Sequence, residues 1–232
     1  MKSICRVLAA AVVMAVLGSG GLQAQESPVS VSLDVGFVNQ YLWRGFVLND
    51  TPSMQPGLSV GFKDFTVSSW SNLSHTGPYG QAWTEHDFAI DYTKGFGNNS
   101  VSVGYINYAF PDLEDGDRYT SEFYFGYAYD TILSPSFTLY RDVDDGDGWY
   151  YYLSLGHSVA LPKGMALNPS VGLGVNQHQW ITQTAVSNLD LGVSLDIPMG
   201  HVTFSPFFTR MIGNTSLFGS HNMYGVAMSI SN

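Results

Sequence analysis

Large apolar side chains alternate with small or polar ones along most of the chain. Near the C-terminus, for instance, Leu189, Leu191 and Val193 alternate with Asp190 and Gly192. A period of two is typical of β-strands, because successive side chains of a strand point to opposite faces. The alternation predicts an all-β chain of about twelve strands, at residues 29–44, 53–62, 65–73, 82–94, 100–109, 119–131, 135–141, 149–161, 165–176, 184–197, 201–210 and 221–231.

The connections between these strands alternate in length. Short ones include "PKG" and "PMG", and long ones include "GFVLNDTP" and "DVDDGDG". Alternation of this kind over an even number of strands is typical of outer-membrane barrels, which have short periplasmic turns, longer external loops and both termini in the periplasm.

The two faces of the predicted strands differ in the size of their side chains. One face is aliphatic and aromatic, whereas the other holds Gly, Ser, Ala, Asn and scattered carboxylates. The alternative, a soluble barrel or lipocalin-like binder, would fill its interior with large apolar side chains and wet its exterior. We therefore predict a closed antiparallel transmembrane β-barrel with its apolar face in lipid. Closure also satisfies every backbone hydrogen bond, as lipid requires.

The N-terminal segment has the order of a secretory signal peptide. Lys2 and Arg6 precede the apolar run "VLAAAVVMAVLG", and small residues end at Ala24. This predicts a signal peptide at 1–24, cleaved near Ala24, and a barrel domain at 25–232. The alternative is an N-terminal anchor, although the run is short for a spanning helix. The single cysteine, Cys5, lies in this segment, so the predicted mature chain has no disulfide.

Charge is scarce and mainly acidic. Nine Lys and Arg stand against 19 Asp and Glu, which gives a formal net charge of −10. Such a chain is not expected to bind nucleic acid or anionic lipid through bulk electrostatics. The expected partners are outer-membrane lipid, lipopolysaccharide and small hydrophilic solutes, and no cofactor is expected.

One segment, "YLWRGFVLNDTPSMQPG", resembles the Y-x-x-R-G region of the TorF-type porin family, a group of proteobacterial conserved hypothetical proteins. The matching positions are Tyr41, Arg44, Gly45, Pro52, Gln55 and Gly57. Further similarities in "WSN", "EHD", "YINYAFP" and Glu122 extend the resemblance over about residues 31–160. Val47 and Pro56 depart from the family's usual Ser and Gly. The resemblance implies a porin-like outer-membrane barrel and names no substrate.

Charged residues of inward parity would line the lumen. Arg44 is predicted to point inward near the external mouth, and the predicted inward carboxylates are Asp34, Glu85, Asp87, Asp91, Glu122, Asp130, Asp190 and Asp196. Because lumen charge decides which ions a pore admits, this set predicts a cation-leaning channel. Arg44 would form part of a constriction, or it would pair with Glu85, Asp87 or Glu122 to hold the wall together, and one role does not exclude the other.

Aromatic residues near the external strand ends predict a girdle at the lipid interface: Tyr41, Trp43, Trp70, Trp83, Trp149 and Tyr151. Pro56, Pro169 and Pro206 fall within predicted strands, where each removes a ladder donor. We expect β-bulges at these prolines, or strand boundaries that differ from those given above.

The acidic loop "DVDDGDG" offers Asp142, Asp144, Asp145 and Asp147 as oxygen ligands for calcium. Their spacing lacks the distal Glu of a calcium-binding loop, so a solvated turn is the favoured interpretation. The adjacent residues His157 and Ser158 would face opposite ways on a strand, which argues against a catalytic pair.

The sequence thus predicts a non-enzymatic channel for passive diffusion of small solutes. The alternatives are a structural or adhesion barrel with a blocked lumen, and a lipid-acting or proteolytic enzyme. Small residues on the inner face favour an open pore: Gly104, Gly126, Gly172, Gly174, Gly192 and Gly225.

Overall fold

The computed structural model describes residues 29–75, 82–111, 119–214 and 217–232, so the predicted signal peptide lies outside the described residues. Fifteen strands are found in them: β1 Val29–Val38, β2 Tyr41–Trp43, β3 Phe46–Asn49, β4 Ser53–Phe62, β5 Phe65–Ser74, β6 Ala82–Phe96, β7 Asn99–Ala109, β8 Tyr119–Tyr129, β9 Ser136–Asp142, β10 Trp149–Gly156, β11 Val159–Ala160, β12 Ala166–Gln177, β13 Thr184–Met199, β14 Val202–Gly213 and β15 His221–Ser231. A 3₁₀ turn spans Pro162–Gly164. None of the described helical segments has the length and apolar character needed to cross a membrane.

Twelve long strands form a closed antiparallel barrel, as the alternation predicted. Strands β4 to β10 pair in sequence, β10 pairs with β12, and β12 to β15 continue the wall. Strand β1 closes the barrel because it pairs with β4 on one side and β15 on the other. The short strand β11 adds two pairs to β12 beyond the end of β10.

The barrel has two unlike ends. Tight connections, such as the one between Phe62 and Phe65, lie at the same end as Val29 and the C-terminus; we name it the turn end. The connections after β1, β9, β12 and β14 are longer and lie at the opposite end, the loop end. The predicted alternation of short and long connections therefore matches the described part of the chain.

The two faces of the wall follow the sequence alternation. Outward positions carry exposed large apolar side chains, including Leu33, Phe88, Phe125 and Leu191. Inward positions carry small and polar residues together with a set of buried aromatic rings. Lipid solvates such a large apolar surface around a closed barrel, whereas water does not.

The largest difference from the predicted strands concerns the first one. Strand β1 ends at Val38 rather than near residue 44, and the chain then forms a separate hairpin from β2 and β3. This hairpin is a separate two-stranded sheet that no backbone ladder joins to the wall sheet. The other predicted strands agree with the structure to within a few residues, apart from the one at 149–161, which is divided between β10 and β11.

The three strand prolines produce no register shift, so the expectation of bulges there was wrong. Each proline coincides instead with a gap in one ladder. The β4–β5 pairing passes from Met54↔Leu73 to Gly57↔Trp70 around Pro56, and the register is unchanged across the gap. Similar gaps flank Pro169, between β10 and β11, and Pro206, between β13 and β14. Losing single hydrogen bonds is sufficient to accommodate a residue without an N–H.

Candidate functional site

The inner hairpin, residues 41–49, enters the loop end of the barrel. Trp43 pairs with Phe46, so Arg44 and Gly45 form a two-residue turn, and both have positive φ, 48° and 96°. Two-residue hairpin turns with positive φ at both positions fit the natural twist of β-strands. A side chain at residue 45 would also meet the Phe218 ring at 2.8 Å, so the position requires glycine on two counts.

Arg44 makes a buried, bidentate ion pair with Glu122 of β8. Its Nη1 donates to Glu122 Oε1 at 2.6 Å, and its Nη2 donates to Oε2 at 2.9 Å. The Tyr108 hydroxyl donates to the same Oε2 at 2.5 Å. Parallel hydrogen bonds of this kind are strong and directional, and they satisfy charges that burial would otherwise penalise. Of the pairings considered from the sequence, the structure therefore shows the one with Glu122.

Aromatic rings surround the guanidinium. Its central carbon lies 4.7 Å from the ring centroid of Trp43, 4.2 Å from that of Tyr140 and 4.4 Å from that of Tyr150. Cation–π attraction is strongest where water is excluded, and all three rings are buried. The ion pair and its aromatic cage thus form one packed unit inside the barrel.

Gln179 joins this unit from the loop between β12 and β13. Arg44 Nη1 donates to Gln179 Oε1 at 2.6 Å, and Gln179 Nε2 donates to Glu122 Oε1. Asn176 fixes the loop, since Gln179 N donates to Asn176 Oδ1 at 2.9 Å and Asn176 Nδ2 donates to Gln179 O at 3.0 Å. We call the inner hairpin with Glu122, Gln179, Tyr140 and Tyr150 the plug.

Phe218 closes the plug from the last loop. Its ring meets Phe46 edge-on, with centroids 5.0 Å apart, and it is buried. Asn49, the last residue of β3, anchors the hairpin to the wall. Its Nδ2 donates to Ser53 Oγ at 2.9 Å and to Ser74 Oγ at 2.5 Å. Parts of the chain that are distant in sequence therefore converge at the loop end.

Three of the other inward carboxylates accept hydrogen bonds from polar side chains of the inner face. Tyr124 donates to Asp91, and Tyr152 donates to Asp190 at 3.1 Å. Asp196 accepts from Asn168 Nδ2 at 2.8 Å and Ser205 Oγ at 2.7 Å. Asp34 faces Gly57 across the β1–β4 ladder, and Glu85 and Asp87 are buried on the inner face of β6.

Asp130 differs from the other predicted carboxylates. It follows the end of β8 and is exposed in the turn before β9, where its backbone N–H donates to Asn98 O at 2.7 Å. Because β8 ends one residue earlier, Asp130 lies at the mouth of the turn end rather than inside the lumen.

Three of the six predicted girdle residues face inward, so their assignment to the lipid interface was wrong. Tyr41 and Trp43 belong to the inner hairpin, and Trp70 lies on the inner face of β5, where its ring is 6.1 Å from that of Tyr41. The hairpin turn at Arg44 places Tyr41 and Trp43 inside the barrel. Trp70 faces inward because of its position in the alternation of β5. Trp83 and Trp149 are exposed on the outer face and Tyr151 is half-buried there, and their girdle role remains a prediction.

Three of the six predicted pore-lining glycines lie against tyrosine side chains rather than open space. A side chain at Gly104 would overlap the Tyr124 ring, and one at Gly172 would overlap Tyr152. Gly174 similarly faces the hydroxyl of Tyr150. At these three positions glycine leaves room for a tyrosine ring, so the three glycines do not by themselves indicate an open pore, and the open lumen remains a prediction.

The acidic loop after β9 is a turn closed by hydrogen bonds. Asp142 Oδ1 accepts from Thr120 Oγ1 at 2.8 Å and from the backbone N–H groups of Asp144 and Gly146, both at 3.1 Å. Asp144, Asp145 and Asp147 are exposed. In the ranges that the structure describes, no three acidic, His or Cys side chains are grouped to hold a metal ion.

Several plug residues were not foreseen from the sequence. Gln179 lies in a loop without periodicity, and nothing in its local sequence marks it. Tyr140 and Tyr150 have inward parity, although the inward face was predicted to hold small and polar side chains and carboxylates. The signal that was available is Gly45, since glycine readily adopts the positive φ that a two-residue hairpin turn requires.

Several solved structures are similar to this chain over most of its length. An outer-membrane channel from Pseudomonas putida has a TM-score of 0.54 and 9% identity, over 92% of this chain and 98% of that one. The translocator domain of the autotransporter NalP from Neisseria meningitidis has a TM-score of 0.45 and 9% identity, over 99% and 96%. OmpF from Salmonella typhi has a TM-score of 0.42 and 10% identity, over 88% and 97%. The first comparison supports the fold.

No curated protein is significantly similar in sequence to this chain. The family model of a bacterial protein of unknown function, Gcw_chp, matches residues 22–228. That match spans nearly the whole barrel, including the inner hairpin and the strands that hold it. The chain therefore belongs to the Gcw_chp family.

Proposed function

We propose that this protein is an outer-membrane channel for passive diffusion of small hydrophilic solutes, and that the plug narrows its loop end. The observation that carries the proposal is a closed barrel that is apolar outside and polar inside. Its resemblance to TorF-type porins agrees with this role. Export through a cleavable signal peptide at 1–24 and orientation of the loop end toward the exterior belong to the same proposal.

A wet vestibule at the turn end supports diffusion. The inward residues there are small and partly exposed, among them Ser32, Ser59, Thr66, Ser194 and Ser205. A barrel of this size is intermediate between eight-stranded barrels with filled interiors and porins with broad aqueous channels. Solutes could therefore enter from the turn end as far as the plug.

The charges of the inner face support a preference for cations. Arg44 is the sole Lys or Arg with inward parity among the described residues, whereas Asp34, Glu85, Asp87, Asp91, Glu122, Asp190 and Asp196 all face inward. Rings or clusters of carboxylates favour cation passage. Because Arg44 neutralises Glu122 directly, the cation preference would arise from the other carboxylates.

A second candidate is a structural barrel without an open pore. It is favoured by the complete burial of Tyr108, Glu122 and Gln179. Side chains that water does not reach leave no aqueous path through that part of the cross-section. The two candidates therefore differ in whether solutes pass the plug.

Conductance across planar bilayers tests both candidates. Val38 and Ser53 are paired neighbours, so a linker of about four Gly and Ser residues can replace residues 40–51 and remove the inner hairpin. We expect small ion channels from the natural protein and a several-fold larger conductance from the variant. The matched control replaces Asp144 and Asp145 by Asn, which changes an exposed loop and leaves the plug intact.

The outcomes separate the candidates. Conductance from the hairpin variant alone would support the structural barrel. No conductance from either protein, with both shown to be folded by heat-modifiable migration on gels, would contradict the channel.

A further inference from the structure

A recess of about 700 Å³ lies at the rim of the loop end, separate from the plug. Arg141, Trp149 and Gln177 line it from the wall, where their side chains have outward parity. The loop residues 145–148, 178 and 180–182 complete it. The recess is therefore bounded by β9, β10 and β12 and opens outward, at the level where lipid head groups would meet the barrel.

The recess combines aromatic faces with many hydrogen-bonding groups. Trp149 and Trp180 are 36% and 42% exposed, so both rings are accessible beside the recess that they line. Carboxylates of Asp145 and Asp147 and the hydroxyl of Thr182 stand beside them. A pyranose ring requires this combination, because its C–H faces pack on indole rings while its hydroxyls donate to carboxylates and accept from N–H groups.

Charge within the recess argues against an anionic ligand. Arg141 Nη2 donates to Asp147 Oδ1 at 2.6 Å, and Nη1 donates to the Gly148 carbonyl at 3.2 Å. Its guanidinium carbon is also 5.5 Å from the centroid of the Trp149 ring. The single cation is thus matched by Asp147, and Asp145 adds a negative charge. A neutral polyhydroxyl ligand fits these groups better than a phosphate.

Backbone strain is concentrated in the same recess. Asp147, His178 and Trp180 have positive φ of 33°, 62° and 59°. Non-glycine residues in this conformation are uncommon, and they persist at functional sites where the surroundings enforce them. The strain at His178 and Trp180 accompanies the inward insertion of Gln179 between them, and it directs the Trp180 ring outward into the recess.

We propose that this recess binds a saccharide, with Trp149 and Trp180 as stacking surfaces and the Asp145 and Asp147 carboxylates as hydroxyl acceptors. The saccharide could be a neutral sugar unit of lipopolysaccharide or a free oligosaccharide, because both offer the same ring chemistry. The proposal goes beyond the proposed function, since binding at the outer rim does not require an open lumen.

Isothermal titration calorimetry of the full chain, purified in detergent and freed of lipopolysaccharide, tests the site with two probes. The probes are maltohexaose and the phosphate-free oligosaccharide prepared from lipopolysaccharide by deacylation and dephosphorylation. We expect saturable binding of at least one probe and a loss of affinity of at least tenfold in Trp180→Gly and Trp149→Ala. Glycine at 180 removes the ring and accepts the positive φ. Trp83→Ala, an exposed tryptophan on β6, is the matched control and should bind normally.

Each outcome has a defined meaning. Binding of maltohexaose would identify the site as one for free oligosaccharides, and binding of the phosphate-free oligosaccharide alone would identify the neutral sugars of lipopolysaccharide. Absence of binding by both probes, or unchanged affinity in both folded recess variants, would overturn the proposal. Since calorimetry does not depend on conductance, failure here would leave the channel proposal untouched.

Discussion

Arg44 and Glu122 illustrate how a single buried ion pair can organise the interior of a barrel. Both side chains are almost completely buried, and each also bonds Gln179. Burying two charges is favourable only where geometry and further hydrogen bonds compensate the loss of water. Here Tyr108 and the aromatic cage provide that compensation.

Arg44→Ala should lower the free energy of unfolding by about 3–5 kcal/mol, because it leaves Glu122 buried without its cation. Arg44→Lys keeps the charge but not the planar pair of donors, so it should recover only part of the loss. Urea titration in detergent, followed by tryptophan fluorescence, measures both. A double variant, Arg44→Met with Glu122→Leu, is the control and should be more stable than Arg44→Ala. Equal stability of natural protein and Arg44→Ala would contradict the role of the pair.

The same variant bears on ion selectivity. Removing the inward cation while the other carboxylates remain should shift the reversal potential in a salt gradient toward stronger cation preference, most clearly at low salt. An anion-selective natural protein, or no shift in Arg44→Ala, would show that Arg44 has only a structural role.

A substitution at Gly104 tests the close packing of the inner face at a second residue. Because its missing side chain leaves room for the Tyr124 ring, Gly104→Ala should destabilise the barrel by about 1–3 kcal/mol through forced displacement of the ring. Gly95→Ala is a suitable control, since the nearest atom to a side chain there is 3.9 Å away. Urea midpoints that are equal for the two variants would argue against close packing at Gly104.

At the scale of elements, strand parity decides the environment of each side chain. Leu58 and Ser59 are neighbours in the middle of β4, yet Leu58 is exposed on the outer face and Ser59 faces the vestibule. A charge at the lipid-facing position would lie near the middle of the bilayer, and one at its neighbour would be in water.

Leu58→Arg should therefore cost about 2–4 kcal/mol of stability in lipid bilayers, whereas Ser59→Arg should cost far less. Folding titrations in liposomes of defined composition give both values. Similar costs for the two in liposomes would contradict the assignment of faces.

The sequence predicted the wall well because one period runs through nearly all of it and no competing period occurs. The inner hairpin was missed for the same reason. Tyr41 and Trp43 continue the parity of Val35 and Phe37, so alternation alone does not show that the chain leaves the wall after Val38. The plug was also unpredictable in its partners, since Gln179 reaches Arg44 across 135 positions of sequence through a loop without a pattern.

At the scale of the whole molecule, the exposed apolar belt and the charged turns place strict conditions on where the protein can exist. A belt that surrounds the barrel needs lipid, while Lys63, Asp64 and Lys94 at the turn end need water. The protein should therefore fractionate with outer membranes and migrate heat-modifiably on gels. Intact-mass measurement should show cleavage near Ala24. Recovery of the folded chain in the soluble periplasmic fraction would contradict the membrane assignment.

The connection of the inner hairpin to distant strands also fixes the order of assembly. Glu122 lies 78 residues after Arg44, and Gln179 lies 135 residues after it. The hairpin therefore has no complete set of partners until most of the wall has paired. Contacts between such distant residues form late, because the intervening chain must first be ordered. If the wall closes before the hairpin docks, the newly closed barrel has an unobstructed loop end until docking. The protein should thus be most permeable during its own biogenesis.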